Sequence, residues 1–244
     1  MNNVKNHNFQ LLWLTIFAIS MGFLETSVVV YLRELMYPAG FNFPLAPISS
    51  KLARVELLRE AATLLMLLSA GWLAGRTRFE KFVLFLYTFA IWDIFYYIFL
   101  KLLIGWPATF FTWDILFLVP ITWTGPVLAP LISSLSMMIL AIITVNLINH
   151  GILVKINRME WISLITGACL QFLAFIWDYS KYIFQYYSFN ELWNLRGNKA
   201  LYSLSINYVP VSFNWLLFLA GELFVIGSIY LFYSRYYRNL AQPG

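Results

Sequence analysis

Six long apolar runs constrain this chain more than any motif does. They lie at Phe9–Leu32, Arg54–Gly75, Phe82–Leu103, Pro126–Asn149, Trp161–Tyr182 and Pro210–Ser234. A bilayer core of ~30 Å needs ~20 helical residues, and each run is long enough. The runs are continuously apolar, whereas a transmembrane β-barrel alternates over ~10-residue strands. Only 11% of the 244 residues are charged. A soluble domain carries ~25%, so a water-soluble globule of this size would lack polar surface. The expectation is an all-α polytopic transmembrane helical bundle of six spans, forming a single membrane domain over residues 1–244. Spans and loops leave no length for a second soluble domain. Lys5 before an apolar run is how a signal peptide begins, but this run continues to Val30 and reads as an uncleaved first helix.

Orientation follows from Lys and Arg in short loops. Lys5, the Arg76–Lys81 connection with its three cations, Lys155, Arg158, Arg235 and Arg238 fall on one side. Arg33, Lys51, Arg54, Arg59, Lys101, Lys181, Arg196 and Lys199 fall elsewhere. The totals tie, but the first set sits in much shorter loops. Both termini are therefore expected in the cytoplasm of a bacterial inner membrane. The net charge of +5 suits a membrane surface, with the lipid bilayer as first partner. No basic stripe with interleaved aromatics lies outside the spans, so nucleic acid is not an expected partner.

Absent ligands narrow the chemistry. The single cysteine, Cys169, cannot form an intramolecular disulfide, an iron–sulfur cluster or a thiolate zinc site. Two histidines, His7 and His150, cannot supply the stacked pairs of a b-type haem protein. No Gly-rich phosphate loop, serine elbow or His-Glu-x-x-His pattern occurs. The paired-Asp signatures of CDP-alcohol phosphotransferases and membrane prenyltransferases are also missing. No cofactor is required by the sequence. A divalent cation held by oxygen ligands, a lipid or a quinone are the ligands it leaves open.

The informative residues are charges inside the spans, which cost ~2.5–3.5 kcal/mol each at mid-helix and therefore face protein or water. Glu25, Asp93 and Glu222 lie within spans one, three and six, and Arg54, Glu56, Arg59 and Glu60 open span two. Glu56, Glu60 and Thr63 share one helical face, which Arg59 flanks. At 1.5 Å per residue, Glu60, Glu25 and Asp93 lie roughly 9, 12 and 15 Å below the outer ends of their spans. Three acids at similar depth could meet at one polar site, and they are the expected ligands of any metal. Arg33, Arg54 and Arg59 are the available counter-charges. Tyr96 and Tyr97, one turn from Asp93, and Asp114, nearer the surface, are candidate supporting groups. The bland alternative makes Glu56–Arg59 a helix-start ion pair and Arg33 and Arg54 headgroup anchors.

Four further features carry expectations. Pro120, Gly125, Pro126 and Pro130 break the stretch from Trp106 to Pro130, which reads as a re-entrant or interfacial half-helix or as a surface loop. The pattern Ile-Trp-Asp-x-x-x-Tyr-Ile-Phe occurs at Ile91–Phe99 and again at Ile176–Phe184. Ala70, Gly71, Ala74 and Gly75 invite a close helix, from this chain or a partner. The loop Ser188–Val209, with Trp193, Tyr202 and Tyr208, could rest on the membrane or dock a partner.

These features leave three functional expectations. The first is an integral membrane subunit of a larger complex, docked against other membrane subunits. The second is an outward-facing protein that binds or transports a cation, proton or solute. The third is a membrane-embedded lipid-processing enzyme with an all-oxygen metal or acid/base site.

Overall fold

In a computed structural model the described residues are 7–38, 40–119, 121–188, 191 and 199–240. Lys5, Pro120, Trp193 and Arg196 lie outside them. The elements are helices α1 (His7–Met36), α2 (Ser50–Ala74) and α3 (Arg78–Ile104), strands β1 (Trp113–Phe117) and β2 (Trp123–Pro126), then helices α4 (Leu128–Asn149), α5 (Arg158–Phe184), α6 (Lys199–Ile206) and α7 (Trp215–Leu240). All but α6 among the helices are long and apolar enough to cross a membrane. Their outer faces suit lipid: Leu73 is 86% and Leu216 84% exposed.

Local sequence sets the helix ends. Thr77 caps α3 and Asn157 caps α5, each in a reciprocal capping box with the glutamate three residues on, Glu80 and Glu160. The sixth span starts later than its apolar run. Asp178 takes the Val211 and Ser212 amides at 2.9 and 3.2 Å, which keeps that stretch out of the helix, and Asn214 accepts the Leu217 amide at 3.1 Å. The amides of Val127 and Leu128 at the start of α4 donate to Thr112 and Phe110 carbonyls, and Pro130 falls in the first turn, where its missing N–H costs nothing.

The start of α1 and the end of α7 lie at one end of the bundle. There Asn149 reaches Asn8 (2.9 Å), Gln10 reaches the Ala74 carbonyl (3.4 Å), and Arg235 grips Glu160 through two bonds of 2.8 Å. The largest core cluster also lies in this half, with Leu14, Val83, Leu140, Val145 and Phe232 in contact. We call the opposite end the hairpin end.

The segment before α4 is neither a half-helix nor a plain loop. It is an antiparallel hairpin pairing Trp113 with Pro126, Asp114 with Gly125 and Ile115 with Thr124, with an irregularity between Ile115 and Phe117. The all-α bundle stands, with this short hairpin set before α4. Trp123 stacks on Phe175, and Gly125 faces the rings of Phe175 and Phe213 so closely that a side chain there would crowd them. These contacts stand in for the weak strand propensity of Trp-Thr-Gly-Pro.

Small residues are used inside the chain. A methyl group on Gly71 would stand 2.7 Å from the Phe85 Cα, and one on Gly75 2.7 Å from the Lys81 Cα, so the small-residue stripe receives α3. A second close approach joins α5 to α7, where a methyl on Gly167 would stand 2.6 Å from the Gly221 carbonyl oxygen.

The repeated Trp-Asp pattern is out of phase with its helices. Asp93 comes fifteen residues after Arg78, whereas Asp178 comes twenty after Arg158. Trp92 is buried and Trp177 is 44% exposed. The two aspartates accordingly do different work: Asp178 fastens the connection before α7, and Asp93 points to α4.

Candidate functional site

Helices α1 to α5 and the hairpin enclose a cavity of about 680 Å³ in the hairpin-end half of the bundle. Each acid reaches it because its helix presents it at one level. Counting from the hairpin-end termini of α1, α2 and α3, Glu25, Glu60 and Asp93 lie about 15–17 Å down. They are closer to one level than the shorter apolar runs imply. Glu25, Glu56, Arg59, Glu60, Asp93, Arg33, Arg54, Tyr96, Tyr97 and Asp114 all line the cavity. Glu222 does not. It sits behind the wall, where its carboxylate accepts from Ser136 and from Gln171, and Gln171 in turn accepts from Ser133 at 3.1 Å.

The carboxyls fall into two kinds. Arg59 bridges two of them, donating to Glu56 (3.0 Å from Nε) and to Glu25, whose other oxygen takes the Thr63 hydroxyl at 3.2 Å. Asp114 is paired too. It accepts from the Arg33 guanidinium at 3.4 Å and the Tyr97 hydroxyl at 3.2 Å. The other two acids have hydrogen bonds but no ion pair among the described residues. Glu60 accepts the Leu118 amide at 2.9 Å, and Asp93 accepts the Ser134 hydroxyl at 2.8 Å. Both are buried, so a solute donor, a cation or a proton must complete them.

Aromatic rings shape the wall. The Arg33 guanidinium carbon lies 3.8 Å from the Trp106 ring centre and 4.4 Å from that of Phe41, a double cation–π contact. Phe117, at the hairpin tip, lies between Trp92 and Trp123, with centroids 6.2 and 5.5 Å away. Three buried donors on lining residues have no hydrogen-bond partner among the described residues: Arg33 Nη1, Trp92 Nε1 and Trp123 Nε1. Outside the spans, burial pushes the Asp114 carboxyl up to about 6, against the pull of Arg33. Burial likewise pushes the Tyr208 phenol up; its hydroxyl donates to Asp178 at 2.8 Å.

Comparison of the chain with protein-family models, with curated proteins and with solved structures found no match. Chemistry at this site therefore has to be read from its own residues.

The charged members were visible as intramembrane acids and arginines. Ser133, Ser134, Gln171, Trp92, Trp123 and the Leu118 amide were not picked out. The serines and Gln171 are neutral and shared among apolar helices, so only a search for polar residues at matching depth would have found them. Glu25, Glu60 and Asp93 share a cavity without closing on one another, and among the described residues no three acid, His or Cys side chains form a group that could hold a metal.

Proposed function

We propose that this chain is a multi-pass membrane protein that binds, and carries or presents, a small solute in the hairpin-end cavity. One observation supports this above the rest: Glu60 and Asp93 are hydrogen-bonded but form no ion pair among the described residues, in a cavity whose other acids are matched to arginines. A cavity of ~300–1,000 Å³ with apolar walls and a few convergent polar groups is the usual form of a small-molecule site. On this reading the Glu25–Arg59–Glu56 and Arg33–Asp114 groups hold α1, α2 and the hairpin in place, and Glu60 and Asp93 meet the solute. The hairpin helps close the outer end of the cavity, its Leu118 amide donating to Glu60. The bundle end with Arg76, Arg78, Lys81, Lys155 and Arg158 faces the cytoplasm, so the cavity faces outward.

The complex-subunit reading draws less support. The small-residue stripe that suited a partner helix is filled by α3, and the remaining apolar faces are those lipid also requires.

Native mass spectrometry of protein released gently from its own membrane tests the proposal. Wild type should carry a discrete small adduct, lost in Glu60→Gln and Asp93→Asn at unchanged unfolding temperature. Equal adducts on all three proteins would refute it. A heavy assembly without a small-molecule adduct would favour the subunit reading instead.

A further inference from the structure

The cavity is roofed at the hairpin end and thinly walled on one side. Its roof is made of two connections. Tyr37, Phe41, Leu45, Ala46 and Ile48 come from the α1–α2 connection, and Ser205, Ile206 and Tyr208 from the segment ending α6. The two are tied together: the Leu45 amide donates to the Ile206 carbonyl at 3.1 Å and the Phe43 ring lies edge-on to Tyr208, while the Ala46 amide, donating to the Tyr37 hydroxyl at 2.7 Å, closes the first connection on itself. At the side, α1 and α2 each pack along α3 but touch one another little. The Arg59–Glu25 and Thr63–Glu25 contacts join them at mid-depth. Above those contacts, Val29, Leu32 and Met36 of α1 and Ala53 and Leu57 of α2 all line the cavity, and Leu57 is 41% exposed. Leu57 thus reaches both the cavity and the outer surface, which lipid would cover in a membrane.

The unmet groups specify what the polar end must offer. Glu60 and Asp93 accept, whereas Trp92 Nε1, Trp123 Nε1 and Arg33 Nη1 donate. An ammonium group only donates and a carboxylate only accepts. A hydroxyl does both, and several hydroxyls on one head would satisfy both sets at once without bringing a charge into the bilayer.

Resting on the binding role proposed above, we infer that the occupant is a membrane amphiphile with a polyhydroxylated head, which slides in from the bilayer between α1 and α2. Its head sits on Glu60, Asp93 and Trp92, and its chain lies along the Val29–Leu57 margin. The Glu25–Arg59 contact closes the margin below, so the chain leaves sideways and not toward the terminal end.

Four proteins in phosphatidylcholine nanodiscs give the test: wild type, Leu57→Trp, Leu58→Trp and Trp92→Phe. Three probes share a fourteen-carbon chain and differ in the head: monotetradecanoyl glycerol, tetradecylammonium and tetradecanoate. The glycerol ester should bind wild type at least tenfold tighter than either charged probe. Its uptake should slow at least tenfold in Leu57→Trp and not in Leu58→Trp, whose side chain points to lipid. Trp92→Phe should weaken the glycerol ester alone. Equal uptake in Leu57→Trp and wild type would overturn the lateral route, and preference for a charged head would overturn the assigned head. A chain-free solute found as the native adduct, with no probe bound, would sink this inference and leave the binding role standing. No adduct and no probe binding would remove both.

Discussion

Asp114 gives the most quantitative handle on the site. It is 3% exposed, its partners are Arg33 and Tyr97, and burial lifts its carboxyl from the ordinary 3.8 to about 6. The folded chain therefore holds this proton more tightly than the unfolded chain does. Below about pH 4 both states carry it and Asp114 costs nothing. Between about pH 4 and 6 the unfolded chain ionises first, so stability falls as pH rises; above about pH 6 the penalty is constant. At ~1.4 kcal/mol per pH unit, the full penalty is about 3 kcal/mol. Asp114→Asn keeps one oxygen for Arg33, turns its amide NH2 toward the Tyr97 oxygen, which can accept, and removes the titration. Unfolding midpoints followed by near-ultraviolet circular dichroism in nanodiscs, from pH 4 to 8, should fall with pH in wild type. In Asp114→Asn this component of the slope should vanish, and at pH 7.5 the variant should be the more stable, by at most the same ~3 kcal/mol. Identical pH slopes in the two proteins would refute the assignment. A less stable variant at pH 7.5 would show instead that the Arg33–Asp114 attraction outweighs the cost of burying the charge.

Two further substitutions probe the frame that holds the cavity. Gly71→Ala forces α2 away from the Phe85 backbone, and overpacking of this kind should lower stability by about 1–3 kcal/mol; Gly227→Ala, where a methyl group meets nothing within 4 Å, should have little effect. Comparable unfolding temperatures for the two variants would contradict the close approach. Glu160→Gln weakens the capping box of α5 and leaves Arg235 without its charged partner. A loss of about 1–3 kcal/mol is expected, together with faster amide hydrogen exchange in the first turn of α5. Unchanged exchange there would argue that the box adds nothing to the helix start.

The six spans were legible because bilayer thickness imposes a length that sequence displays directly. That Glu25, Glu60 and Asp93 lie at similar depth was legible for a related reason, since helical rise converts residue number into depth, but the partner each one meets was not. The hairpin was not. Trp123 to Pro126 has a glycine and a proline and little strand propensity, and only its neighbours hold it: Arg33 and Tyr97 on Asp114, Phe175 on Trp123. Pairing was half legible. Arg59 was a visible counter-charge for Glu25, but the Arg33–Asp114 pair spans eighty-one residues and depends on a turn that the proline pattern alone does not define. The last helix starts at Trp215 and not at Pro210, which looks like a helix opening, because Asp178 takes the following amides out of the helix.

The phase slip between the two Trp-Asp segments bears on how such chains can be searched for ancient duplication. Five residues of helix are about 7.5 Å of rise and a net rotation of about 140°. An alignment of the two halves on this motif would throw their capping boxes out of register by that amount. It would equate an aspartate facing a cavity with one that pins a loop. A halves-against-halves comparison anchored on Thr77 and Asn157 instead keeps the helix starts together, and it is the frame in which any inherited symmetry of this bundle should be sought.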